Sequence, residues 1–136
     1  MLARSRQFLL ALVSLVGPSQ LGCSSDGVPT PSNALPRMLA LPHTTYTVGM
    51  SQDVTLRSED SDDFDELSFE IEGATVANLV SRSQLIPQGG RDGVGSAIFR
   101  WSPMQADIGV HEIKFRVRDP HGGSAATRLR LTVVER

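Results

Sequence analysis

Cysteine is nearly absent from this 136-residue chain: Cys23 is the only one. An intramolecular disulfide is therefore excluded, and the fold must be held by a packed core. Long apolar runs are missing too. The longest, residues 8–16, breaks at Gly17-Pro18, far short of the ~20 residues that span a bilayer as a helix. No segment carries an apolar stripe at helical spacing, which argues against a helical fold. Nor is there a surplus of positive charge. Lys and Arg number 13 against 15 Asp and Glu, a formal charge of −2, whereas a general nucleic-acid binder carries a strong basic excess.

Catalytic patterns are lacking as well. His43, His111 and His121 stand apart, and no His-Glu-x-x-His pair supports a zinc hydrolase. No serine sits in a Gly-x-Ser-x-Gly elbow. The glycine-rich stretch 89–95 does not lead from a strand into a helix, so it reads as a loop and not as a phosphate cradle. Carboxylates are plentiful, but spacing within one loop does not supply the opposed pair of a glycosidase. The chain reads as a non-enzyme.

The N-terminus is more informative. Arg4 and Arg6 precede the short apolar run, and Gly17-Pro18 ends it, the pattern of a secretory signal over residues 1–22. Gly22-Cys23 resembles the cleavage point of bacterial lipoproteins, where the cysteine is lipidated and becomes the first residue of the mature chain. The resemblance implies an extracytoplasmic protein held by lipid on Cys23 to a bacterial membrane, at the outer membrane or cell surface, with no protein segment crossing it. Two of the 13 basic residues leave with the signal, so 11 face 15 acidic ones and the mature charge is −4. Residues 23–36 then comprise the lipidated cysteine and a linker rich in Ser, Pro, Gly and Asn. Extended at ~3.1 Å per residue, it reaches about 40 Å. Residues 37–136 suit one compact domain.

Within that domain the apolar period is two, the mark of half-buried strands. Residues 38–41 and 45–48 read as a first strand split around Pro42. Val54 and Leu56, then Leu67, Phe69 and Ile71, alternate with polar neighbours. So do Phe99 and Trp101, then Ile113, Phe115 and Val117, then Leu129, Leu131 and Val133. Asp119-Pro120-His121-Gly122-Gly123 is a strong turn signal between the last two. Residues 73–95 predict one or two irregular strands. About seven short strands with regular turns predict an all-β, two-sheet sandwich. Trp101 reads as the central core aromatic, with ligand stacking as the alternative.

Several of these segments carry a family resemblance. They are Thr47-Val48-Gly49, Asp60-Ser61-Asp62 with Asp65-Glu66-Leu67-Ser68-Phe69, Phe99-Arg100-Trp101-Ser102-Pro103, Asp107-Ile108-Gly109-Val110-His111, and the run from Val117 to Ala125 through the Asp-Pro-His-Gly-Gly turn. Together, over roughly residues 36–135, they resemble the dystroglycan-type cadherin-like domains of bacterial surface proteins, also described as Ig-like. The resemblance implies an Ig-like/cadherin-like β-sandwich used in adhesion or in binding carbohydrate and protein, sometimes with calcium. By the same resemblance Asp119 approaches the end that holds Asp60, Asp62 and Asp65, making these four the candidate calcium ligands. Crowded carboxylates are unfavourable without a cation, and calcium takes about six to eight oxygen ligands. The loop is not an EF-hand, since Phe64 fills a ligand position and the turn glycine is missing.

Charge placement adds a second candidate surface. Eight of the 15 acidic residues fall in 59–72 with no base among them. Lys114, Arg116, Arg118, Arg128 and Arg130 lie on the outward side of the final hairpin. If Phe115 faces Leu129, then Arg116 faces Arg128 and Lys114 faces Arg130. Like charges directly opposite destabilise a pair, so the pattern asks for an anion: an acidic strand of the same sheet, a polyanionic sugar or a partner protein. A solvated face whose arginines deter edge-to-edge pairing is the alternative. The functional expectation is a membrane-anchored binding or adhesion module for an envelope protein or glycan. The alternative is a structural or assembly component of a cell-envelope complex.

Overall fold

The computed structural model describes residues 32–62 and 66–136; the signal segment, Cys23 and Asp65 lie outside them. Eight strands form two four-stranded sheets, one more strand than the count of turns suggested. In chain order they are β1 (Arg37–Met38), β2 (Thr44–Thr47), β3 (Gln52–Glu59), β4 (Ser68–Ala74), β5 (Ser83–Arg91), β6 (Val94–Trp101), β7 (Gly109–Arg118) and β8 (Ser124–Val134). A four-residue helix, α1 (Leu79–Arg82), precedes β5, and a 3-10 turn at Gln105–Asp107 precedes β7. The first sheet runs β1-β3-β6-β5 and the second β2-β8-β7-β4. Neighbours are antiparallel except β2 and β8, which pair parallel.

The break at Pro42 has a topological meaning. The split first strand places its halves in different sheets: β1 pairs with β3, and β2 pairs with β8. Proline cannot donate to a ladder, so the crossing falls where the ladder is already interrupted.

Alternation sends one face of each sheet inward. Leu56, Ala97, Phe99 and Trp101 come from the first sheet. Tyr46, Ile113, Phe115, Val117, Leu129, Leu131 and Val133 come from the second; all are buried. Fully burying side chains of this size stabilises by about 1.5–3 kcal/mol each. Two aromatic pairs join the layers. Phe99 meets Phe115 edge-on at 5.1 Å between centroids, and Tyr46 meets Trp101 at 5.3 Å and 54°. Trp101 is 1% exposed, which makes it a core residue and leaves no face for ligand stacking.

Two readings are corrected. The glycine-rich stretch is not an open loop: residues 83–101 form the β5–β6 hairpin. It closes at Asp92-Gly93, with φ of 52° and 77°, the left-handed pair of a two-residue turn that matches strand twist. Glycine carries no side chain to show alternation, so the ladder was hidden. The register of the last hairpin also differs. Phe115 lies opposite Thr127, Arg116 opposite Ala126 and Lys114 opposite Arg128. Asp119 N–H donates to the Gly123 carbonyl at 2.9 Å, holding the turn tight so that pairing starts at Arg118 and Ser124.

Candidate ligand-binding surfaces

At one end of the sandwich the last linker residues are fixed to the domain, so the compact unit begins at Asn33. Asn33 Nδ2 donates to Asp119 Oδ2 at 2.6 Å, and Ala34 N–H donates to Asp62 Oδ2 at 2.9 Å. The Asp62 N–H donates in turn to Asp60 Oδ1 at 3.1 Å. Asp119 is itself buried, and its Oδ1 accepts from the His121 and Gly123 N–H groups at 2.8 and 2.7 Å. A Cβ on Gly123 would stand 2.2 Å from Asp119 Oδ2, so only glycine permits this approach. Burial pushes the Asp119 carboxyl up, but the bonds from Asn33, Gly123 and His121 hold it below the usual range. A depressed folded pKa contributes stability that is present above the ordinary aspartate value of about 3.9 and lost as pH falls through the folded one. The Ala34 N–H and the link to Asp60 likewise lower Asp62.

Three of the four calcium candidates therefore meet at this end of the domain, and Asp65 lies outside the described residues. Among the described residues no group of three or more His, Cys, Asp or Glu side chains is placed to hold a metal. In this arrangement Asp119 Oδ1 accepts from two backbone N–H groups and Oδ2 from Asn33. These bonds shape the β7–β8 turn and dock Asn33.

The cation-rich face carries its own anions. Strand β4 lies beside β7. Glu72 accepts from Arg116 Nε at 2.8 Å and Nη2 at 3.0 Å and from Lys114 at 3.3 Å, while Glu70 accepts from Arg118 at 3.0 Å. The Arg116 fork, with Lys114, holds the Glu72 carboxyl at about 2. The acidic strand of the same sheet is thus the anion for these three. Arg128 and Arg130 are different. They share the single carboxylate of Glu112, at 3.3 and 3.5 Å, and their side chains stay 61% and 76% exposed. Among the described residues the ion pairs of this face join five cations to three carboxylates.

Sequence reasoning missed two features. Asp107, in the 3-10 turn, is buried and grips the Arg82 guanidinium with both oxygens while Oδ2 also accepts from Met104 N–H at 2.7 Å. The second lies on the outer face of the first sheet. There Asp53 pairs with Arg100 at 2.7 Å and Glu59 approaches Arg37 at 3.8 Å. Arg57, between them on the same strand face, has no ion pair or side-chain hydrogen bond with a described residue. An exposed arginine at alternating spacing looks the same in sequence whether paired or not; cross-strand register decides. The histidines stay apart: His43 reaches Thr132, while His111 Nδ1 reaches Thr75 and its Nε2 the Asp107 carbonyl.

This fold is shared with known structures. The chain superposes on the sialic acid binding region of a Streptococcus sanguinis adhesin with a TM-score of 0.59 at 11% identity, over 76% of this chain and 30% of that one. It superposes on the protocadherin γB4 extracellular domain with a TM-score of 0.56 at 14% identity, over 74% and 17%. An endo-fucoidan hydrolase of glycoside hydrolase family 107 gives 0.57 at 15% identity, over 80% of this chain but 15% of the hydrolase. The chain thus spans a small part of each of these proteins, and what they share with it is the fold, an Ig-like/cadherin-like β-sandwich. No protein-family model matches the chain. No curated protein matches it by sequence.

Proposed function

We propose that this chain is an extracytoplasmic binding or adhesion module, held to a bacterial membrane by lipid on Cys23 and presenting its sandwich to an anionic envelope partner. The observation that carries the reading is the pair Arg128 and Arg130, exposed and sharing one carboxylate in a chain that is otherwise acidic. The same fold serves in an adhesin's sialic acid binding region and in a protocadherin, which supports a binding role. Purified protein is expected to bind isolated cell envelope saturably and less tightly as salt rises, because exposed charges are screened. The double substitution Arg128→Gln/Arg130→Gln should weaken binding several-fold and leave Tm within a few degrees, since exposed pairs contribute about 0–1 kcal/mol. Salt-independent binding that is equal in wild type and the double variant would sink the reading.

The anchor is tested separately. Mass spectrometry of membrane-extracted protein is expected to show a diacylglyceryl mass on a peptide beginning at Cys23. Cys23→Ser should release the protein or block its processing without changing its Tm. A mature protein with a free thiol, or with another N-terminus, would overturn lipidation.

One observation favours the alternative, an assembly component docked on a larger protein. Met50, Met104, Ile108, Val110 and Val134 are exposed. They sit at the end where β2, β6 and β8 finish and β3 and β7 begin. Co-purification in a fixed stoichiometry, in place of a saturable ligand, would establish that reading.

A further inference from the structure

The outer face of the first sheet holds a shallow trough of about 540 Å³, open toward the β5 edge. Its geometry follows from register. Arg57 on β3 lies opposite Ser96 on β6, and Ser96 lies opposite Gly89 on β5. At about 4.8 Å per strand, the row steps down from a long cation through a small hydroxyl to a residue with no side chain. Gln88 is the extra residue of a β-bulge between Pro87 and Gly89, and it lines the trough with Arg91. Gly89 has φ of 75°, and a Cβ there would meet nothing within 4 Å, so the floor is open. Bulges re-aim side chains in this way beside binding sites.

We propose that this trough binds an acidic saccharide, with the Arg57 guanidinium taking a carboxylate or sulfate and Gln88 and Ser96 meeting the sugar hydroxyls. Among the described residues Arg57 has no ion pair or side-chain hydrogen bond, and the Ser96 hydroxyl has no hydrogen bond. A guanidinium offers two parallel N–H donors to either anion. The lining also includes Val94 and the Arg91–Asp92 ion pair at 3.8 Å, and it has no aromatic ring, so a neutral sugar has nothing to stack on. An acidic peptide fits less well. Adding a strand to the β5 edge is opposed by Pro87, which has no N–H, and by the bulge that interrupts the ladder. The trough offers no apolar pocket for an anchoring side chain.

The inference rests on the chain being a binding module, and the test separates the two. The full chain in detergent is titrated at low ionic strength with polygalacturonate, dextran sulfate, neutral dextran and polyglutamate. Wild type is expected to bind at least one of the two acidic polysaccharides and to ignore neutral dextran; which one binds tells carboxylate from sulfate. Arg57→Gln should weaken that binding by about tenfold or more, and Ser96→Ala by less, both with unchanged Tm. Arg136→Gln, an exposed cation on neither surface, should leave it unchanged. Four results would overturn the trough: equal affinity of wild type and Arg57→Gln, loss in Arg128→Gln with none in Arg57→Gln, polyglutamate binding as tightly as the saccharides, or no binding to either acidic polysaccharide. The second leaves the binding module standing with its site on the other sheet, and envelope binding without acidic-polysaccharide binding leaves it standing too.

Discussion

Trp101→Ala is expected to be the most damaging single substitution in the domain, lowering stability by about 3–5 kcal/mol. That is a large share of the roughly 5–15 kcal/mol that holds a domain of this size. Trp101 ends β6, where its backbone lies between Gln52 of β3 and Ser83 of β5. Its ring enters the core against Tyr46 of the opposite sheet, so truncation opens a cavity between the layers. Urea denaturation should show a lower midpoint with an unchanged slope. Trp101→Phe should recover much of the loss. It keeps an aromatic ring and removes an indole N–H that has no hydrogen-bond partner among the described residues. An Ala variant with a wild-type midpoint would mean that the indole does not fill the core.

Arg82→Ala should cost about 3 kcal/mol by a different route. The Asp107 side chain is 5% exposed and that of Arg82 22%, so the variant leaves a buried carboxylate with the Met104 N–H and no countercharge. Removing one partner of a buried pair destabilises by roughly 3–5 kcal/mol, and the solvent access of Arg82 places this case at the low end. Arg82→Lys keeps a charge without the two-pronged fork and should fall between. In a double-mutant cycle, Arg82→Ala/Asp107→Ala should lose clearly less than the two single variants summed. Additive losses would mean that the two side chains act independently. The pair matters beyond its energy because it ties the end of α1 to the 3-10 turn, at the mouth of the β5–β6 hairpin.

Much of this architecture was legible because burial in a sandwich is written at period two. Val54 and Leu56, Phe99 and Trp101, and the three-residue stripes of β7 and β8 each place one face inward, and together they imply two facing layers. The strand order between residues 73 and 95 was not legible. Glycines 89, 90, 93 and 95 carry no side chain to reveal a face, and the bulge at Gln88 shifts the period. The surface chemistry was legible in kind but not in partnership. The acidic run 59–72 and the basic hairpin were visible as charges. That Glu72 serves Lys114 and Arg116, that Glu112 is shared by Arg128 and Arg130, and that Arg57 meets no carboxylate among the described residues follow from cross-strand register. Turn length shifts that register by two residues without changing which face any side chain takes. Asp107 hid for a related reason: its partner lies 25 residues away, on a helix too short to show in the sequence.

The parallel pairing of β2 with β8 joins Thr44–Thr47 to Leu131–Val134. These segments stand near opposite ends of the domain, so the contact closes almost the whole domain into one loop. Loop closure of that span must precede the gain from pairing, which slows β-rich folding. A chain emerging N-terminus first can form the local β5–β6 hairpin early. Tyr46, though, has no finished layer to enter until the last strand has emerged. The sandwich therefore locks only once β8 has joined β2, so its two layers close in a single late step.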